Sequence, residues 1–295
     1  MTEHNISRPR IACEITAEHV IAGRAADAVG DLQTASAASL PQAALAPALQ
    51  EVNVTGREAL VSALRQVLSN VGGRSKDICL IIPDATTRVV LLDFDTLPQK
   101  QQEADAVVRF RLKKSLPFDV DQSAVSFDRQ GASAPVRVVA AVTPRAVLEE
   151  YESLVRDAGY NPGTVLPSMI AALGVVDASH PTMVIKVERG TTTFAIVDQN
   201  QLLLYRALEN GGSAVTGETL VDDVNTSLVY FEDRYAVRVE RVLVAGVQSA
   251  QGLQQALGAA GDIRVGELVS RSMASGAAGN LPRTALAAVA GALVS

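Results

Sequence analysis

Three stretches of the chain carry residue types that could do chemistry. "RFRLKKSLPFDVDQ", residues 109–122, sets Arg109, Arg111, Lys113 and Lys114 within six positions, ahead of Leu-Pro-Phe and two aspartates. Cations at that density could hold an anion, meet a partner, or sit solvated near a helix C-terminus, where each is worth about 0.3–1 kcal/mol against the macrodipole. "ENGGSAVTGE" places Gly211 and Gly212 where backbone N–H groups could cradle a phosphate, although two glycines at a strand–helix junction serve equally as a turn. Glu14 in "CEITAEHV" and Glu188 in "ERGTTTF" stand beside threonines, and catalytic use is one reading of them. In the other, which we take as the expectation, Thr191, Thr192 and Thr193 are β-formers opening a strand and the glutamates are hairpin surface. No catalytic residue is therefore assigned. His4, His19 and His180 are scattered without metal-ligand spacing, so no metal site is expected.

The remainder of the composition narrows the function classes. With 26 basic against 32 acidic residues the formal charge is −6, opposite to the basic surface of a nucleic-acid binder. Aromatics are 4% with no Trp, so the core must be filled by Ala, Val, Leu and Ile, as suits helices packed on sheets. Cys13 and Cys79 each sit in an apolar strand-like run and read as small buried hydrophobes rather than a disulfide. The N-terminal residues have no apolar signal region, and the longest uncharged apolar run, "TALAAVAGALVS", is short of the ~20 residues that span a bilayer. The expectation is a cytosolic chain with no direct membrane insertion.

Patterning along the 295 residues gives two domains. "RIACEI", "HVIAGRA" and "LQTASAASL" read as three short strands, and "REALVSALRQVLSNVGG" as a helix stopped by Gly72-Gly73. "DICLIIP" and "TRVVLLDFDTLP" are strands, and a helix over 99–116 carries Ala104, Val108 and Leu112 on one stripe up to Pro117. "SAVSFDR" and "VRVVAAV" are strands, followed by a helix with Thr143 as N-cap and Gly159 at its stop. The second half again opens with three strands, then a helix over about 213–236, the strand "RVERVLVAG", the helix "SAQGLQQALGAAG", the strand "DIRVGEL" and a last helix "PRTALAAVAGAL". A repeated βββαβα unit points to a duplicated ribonuclease-H-like fold with a cleft between its halves. The boundary falls near Ser179–Pro181, giving domains over 1–180, with an inserted α/β subdomain over about 86–165, and over 181–295.

Several stretches in order resemble one family. "VVLLDFDTLP" with "KKSLPFDVDQ", then "VVAAVTPRAVLEEYESLVRDAGYNPGTVLPSMIAALGVV", then "FAIVDQNQLLLYRALENGG" resemble the actin-like ATPase superfamily and, within it, PilM-type pilus assembly proteins, relatives of the cell-division protein FtsA. Cytoplasmic domains of type II secretion L-type proteins resemble the same pattern. The resemblance implies a nucleotide cleft built from two Asp-x-Gly hairpins, in which the Gly admits phosphate and the Asp positions Mg²⁺. Here Glu14 falls at the first Asp position, Thr16 at the Gly position, and Glu18 adds a negative charge. In the second hairpin Glu188 and Gly190 take those positions with Thr191 and Thr192 as hydroxyls; read without a gap, Lys186 takes the acid position instead. Gly211 and Gly212 follow, and only Gly246 remains of the adenosine loop. The helical subdomain forming one wall is reduced. What the resemblance implies is therefore a vestigial cleft, with no cofactor expected and ATP with Mg²⁺ doubtful. It also implies a partner: the cytosolic tail of a PilN-like bitopic inner-membrane protein, held in a groove beside the insertion by Arg109, Lys113, Pro117 and Phe118. The function implied is a non-catalytic scaffold peripheral to the inner membrane, in a pilus or related secretion platform. The alternatives are a nucleotide-switched ATPase and a type II secretion component; a sugar-kinase-like enzyme is disfavoured by the missing phosphate loops.

Overall fold

The structure is a computed structural model that describes residues 9–25, 32–50, 52–131, 135–210, 217–246, 254–255, 263–270 and 281–294. In the first half, strands β1 (Ile11–Ile15), β2 (His19–Ala25) and β3 (Leu32–Ser39) run antiparallel, and helix α1 (Arg57–Val71) crosses over to β4 (Asp77–Ile82). Strand β8 (Asn161–Pro167) completes a sheet of order β3-β2-β1-β4-β8, with β4 parallel to both its neighbours. Sequence patterning misses β8. Its Pro162 and Gly163 are poor β-formers, tolerated because an edge strand needs fewer ladder donors.

Between β4 and β8 lies the insertion: β5 (Arg88–Phe94), α2 (Gln101–Lys113), β6 (Ser123–Gln130) and β7 (Val136–Pro144) in a three-stranded antiparallel sheet of order β5-β7-β6. The expected stripe is the one that packs: Ala104, Val108 and Leu112 are buried against Leu92, Val138, Ala140 and Val142. The inserted unit is shorter than the expected 86–165. Helix α3 (Arg145–Asp157) buries Val147, Tyr151, Leu154 and Val155 in the core of the first sheet, and β8 belongs to that sheet. Thr143 is not a helix cap either. Residues up to Pro144 remain in β7, and the Thr143 hydroxyl meets that of Thr87 at 2.7 Å.

The second half repeats the plan. Strands β9 (Thr182–Glu188), β10 (Thr191–Asp198) and β11 (Gln201–Glu209) lead through α5 (Gly217–Tyr235) to β12 (Arg241–Gly246) and β13 (Arg264–Glu267), in the order β11-β10-β9-β12-β13. The helix expected between β12 and β13 lies outside the described residues except at 254–255.

Two-residue alternation splits each sheet between two cores. Ile11, Cys13 and Ile15 face α1 and α3, while Ala12 faces the opposite way, toward α4 (Ser168–Leu173) and α6 (Ala287–Val294). Those two helices share one core with the inner face of the second sheet, through Val184, Ala195 and Ala245, and α5 covers that sheet's outer face. The layers thus run α1/α3, first sheet, α4/α6, second sheet, α5. Adjacent Cys79 lies in the central core and Cys13 in the outer one, so the two thiols face opposite ways.

The central layer is packed backbone to backbone. A Cβ on Gly291 would lie 1.9 Å from the Ala171 carbonyl oxygen. Gly291→Ala should therefore cost at least about 3 kcal/mol, since overpacking here must move a helix rather than a flexible side chain. Urea unfolding checks this; a loss below about 1 kcal/mol would mean that α4 and α6 part easily.

Candidate functional site: a cleft closed by ion pairs

The hairpins β1–β2 and β9–β10 point toward each other from the two halves. Glu14 lies on the same face of β1 as Ala12, and Lys186 on the same face of β9 as Val184, so both side chains enter the central layer. They meet. Lys186 Nζ stands 3.0 Å from Glu14 Oε1, with the two side chains 3% and 2% exposed. Lys186 also pairs with Glu188 on its own strand, and Ser168 Oγ, at the start of α4, donates to Glu14 Oε1. At the rim Arg189 Nη1 reaches Glu18 Oε1 at 3.6 Å. Acids of the first hairpin thus face cations of the second, and two ion pairs join them across the cleft.

Asp84 belongs to the same cluster. It sits in a 3₁₀ turn (Asp84–Thr86) after β4, where Oδ1 accepts from the Met169 amide at 2.9 Å and the Tyr205 hydroxyl at 3.1 Å. Its Oδ2 is buried with no hydrogen-bond partner among the described residues. Burial, followed by the Glu188 charge, pushes the Asp84 carboxyl up to about 6, against the pull of Lys186. Burial also raises Glu14, against Lys186, which lowers it. Desolvation alone would lower Lys186, but Glu14, Glu188 and Asp84 together hold it above its ordinary value, so the ammonium stays charged.

The backbone donors expected to serve a phosphate are already used. Thr16 Oγ1 accepts from the amides of Glu18 (3.3 Å) and His19 (2.9 Å) and donates to the His19 carbonyl (3.0 Å), while the Thr16 amide bonds the same carbonyl. A threonine at the glycine position closes the turn on itself. The space left among Glu14, Thr16, Glu18, Lys186, Glu188 and Arg189 is about 40 Å³. That holds about one water, whereas small-molecule pockets run to several hundred Å³.

The other expected residues divide. Glu14 and Glu188 are not hairpin surface: Glu14 is 1% exposed and Glu188 pairs within the cluster. Thr191, Thr192 and Thr193 do open β10, all buried, and Thr192 Oγ1 accepts from Asn210 Nδ2 at 3.0 Å. Gly190 turns the hairpin at φ +88°. Gly246, at φ +84°, is needed because a Cβ there would lie 2.1 Å from the Val187 carbonyl oxygen. Gly211 and Gly212 lie outside the described residues.

Arg109 and Lys113 lie on the last turns of α2, and Pro117 and Phe118 on the segment that joins α2 to β6 within the insertion. Arg109 Nε bonds Asp105 at 2.8 Å and its Nη1 the Val120 carbonyl at 3.3 Å; Lys113 bonds Asp121 at 2.7 Å. Phe118 is half-buried in the insertion's core and Pro117 is exposed. Sequence reasoning missed Asp84, Ser168 and Tyr205. The findable signal was Asp84, an acid placed by "IIPD" just past the C-terminal end of a buried strand, where α/β sheets gather polar groups.

The insertion also fastens to the second half. Gln130 uses its side-chain amide as a strand would, donating to the Leu202 carbonyl at 3.0 Å and accepting from the Leu202 amide. Arg137 bonds Gln201, Arg88 bonds Glu209 (both 3.2 Å), and Arg234 lies 3.8 Å from Asp93. Among the described residues no helix is long and apolar enough to cross a membrane.

No family model and no curated protein matches the chain. Among solved structures it is similar to a chain of the PilM–PilN type IV pilus biogenesis complex, at 16% identity and a TM-score of 0.70, covering 85% of this chain and 87% of that one. It is also similar to the cytoplasmic domain of EpsL, an inner-membrane component of the type II secretion system of Vibrio cholerae, at 10% identity and a TM-score of 0.51, covering 88% and 97%. At such identities the likeness is one of architecture: the chain has the actin-like fold found in the PilM–PilN complex.

Proposed function

We propose that this chain is a non-catalytic scaffold of a type IV pilus, or related secretion, assembly platform, held at the inner membrane by the cytosolic tail of a PilN-like protein. The observation that carries the non-catalytic part is the Glu14–Lys186 pair, which joins the two hairpins in the place where nucleotide would enter. Opening the cleft would separate a buried ion pair and expose Asp84 and Tyr205 along with it. The tail-binding part is supported by the likeness to PilM in its complex with PilN. In this reading the tail runs beside the insertion, over Pro117 and Phe118, with the Arg109–Asp105 and Lys113–Asp121 pairs supplying a charged edge to an apolar strip.

Calorimetric titration tests both parts. Mg-ATP should give no binding heat, whereas a synthetic PilN-like N-terminal peptide should bind, and should bind at least about tenfold more weakly to Phe118→Ala or to charge-reversed Arg109 and Lys113. Submillimolar ATP affinity, with hydrolysis lost in Glu188→Ala, would overturn the first part. No heat with the peptide would overturn the second.

A further inference from the structure

The outward face of α2 differs in charge from the molecule that carries it. Glu103, Val107, Phe110, Arg111 and Lys114 share that face, all exposed, with Lys100 at the N-cap. Phe110 is 62% exposed and Val107 36%, and neither belongs to the core that the helix reaches through Ala104, Val108 and Leu112. Three cations of the helix and its caps are neutralised: Lys100 by Glu103, Arg109 by Asp105 and Lys113 by Asp121. Arg111 and Lys114 have no carboxylate partner among the described residues, and Lys114 Nζ lies 4.4 Å from the Phe110 ring centre. Lys100, Arg111 and Lys114 thus stand against Glu103 alone, on a chain whose formal charge is −6.

An exposed ring between unpaired cations suits a surface that is apolar beneath and anionic on top, which is the makeup of a bilayer interface rather than of an acidic protein groove. Position points the same way. The tail of a bitopic protein ends at its own membrane span, so the segment that holds the tail stands within the tail's length of the bilayer. Pro117 and Phe118 are that segment in the proposed docking, and Lys114 lies three residues before Pro117.

We propose that the α2 face rests on the anionic cytosolic leaflet of the inner membrane, with Phe110 and Val107 among the headgroups and Arg111 and Lys114 on lipid phosphates. The choice of a bilayer as the occupant rests on the proposed tail docking. One ring and two free cations do not make an anchor by themselves. A chain already held by a partner's tail meets lipid at high effective concentration, so the contact fixes which way the tethered molecule faces.

The chain has no Trp, so Phe110→Trp introduces its single indole exactly at the contact. With vesicles of about 40% phosphatidylglycerol in phosphatidylcholine, at about 50 mM salt, the indole emission should shift to the blue and be quenched by brominated lipid. Pure phosphatidylcholine vesicles, or about 0.5 M salt, should abolish both effects. In co-sedimentation with the same vesicles, Arg111→Ala and Lys114→Ala should each weaken binding about fivefold. Phe110→Ala should do so at least about fivefold while leaving the urea-unfolding midpoint in place, and Lys113→Ala, which loses a cation already paired with Asp121, should change little. An indole unmoved by anionic vesicles overturns the proposal, as does binding equal on neutral vesicles or indifferent to Phe110→Ala. An acidic peptide or a second copy seated on this face while vesicles stay unbound also overturns it. The vesicles contain no partner tail, so the two readings separate: vesicle binding without peptide binding removes the tail and leaves this contact standing, and peptide binding without vesicle binding removes this contact alone.

Discussion

Replacing Lys186 by Met should lower the stability of the chain by about 3–5 kcal/mol, the usual cost of removing one partner from a buried ion pair. The methionine fills much of the same volume, so the loss reports charge rather than a void. Glu14, Glu188 and Asp84 are left crowded around an uncharged side chain, and the first and third are almost fully buried. Such carboxyls escape by taking up protons, so the loss should be larger at pH 8 than at pH 5. Adding Glu14→Gln to Lys186→Met should recover part of it, since one stranded carboxylate is then gone; the two changes are coupled, not additive. Urea unfolding of the two single variants and the double variant measures the coupling. A single-variant loss below about 1 kcal/mol would show that Lys186 is not the cation of this cluster.

Asp84→Asn should act in the opposite direction. The Asp84 carboxyl is pushed up from 3.8 to about 6, so the folded state keeps its proton longer than the unfolded state does. The stability associated with that proton is complete below the unfolded value and is lost as pH rises from 3.8 through about 6. A shift of that size corresponds to about 3 kcal/mol. The asparagine keeps an oxygen to accept from Met169 and Tyr205 and carries no charge, so at pH 8 the variant should be more stable than the parent by about 1–3 kcal/mol. It should also lose the downward slope between pH 4 and 6. A variant less stable at pH 8, with the slope intact, would remove Asp84 from this role.

The two experiments bear on how the sequence can be read. Lys186 is the one charge inside "MVIKV" and Glu14 the one charge inside "IACEI". A single charge in an otherwise buried strand requires a partner, and two such strands of opposite sign are a pairing signal even without an alignment. That signal was legible; treating the glutamates as hairpin surface ignored it. The repeated plan of the two halves and the α2 stripe were legible for the usual reason, a hydrophobic period that matches the element. Other features were not. β8 is written with Pro162 and Gly163 and owes its conformation to β4 beside it, a tertiary effect with no local trace. The helix expected behind a Thr143 cap starts only at Arg145, because Thr143 stays in extended β7, pairs with Ala124 of β6 and bonds Thr87. Asp84 and Tyr205 are far apart in sequence, and their contact exists only once both sheets are in place.

The shared central layer also bears on how the chain folds during synthesis. Helix α6 follows every other described element, yet it packs on β1, β2 and β4, which come first. Until α6 arrives, the inner face of the first sheet, including Ala12, Ile21, Cys79 and Ile81, lacks part of its cover. The usual order, in which an N-terminal domain closes while its successor is still on the ribosome, is therefore not open to this chain. The first half must wait with an apolar sheet face exposed, the condition in which nascent chains aggregate or engage chaperones, and hydrogen exchange in the finished protein should find both sheets opening as one unit.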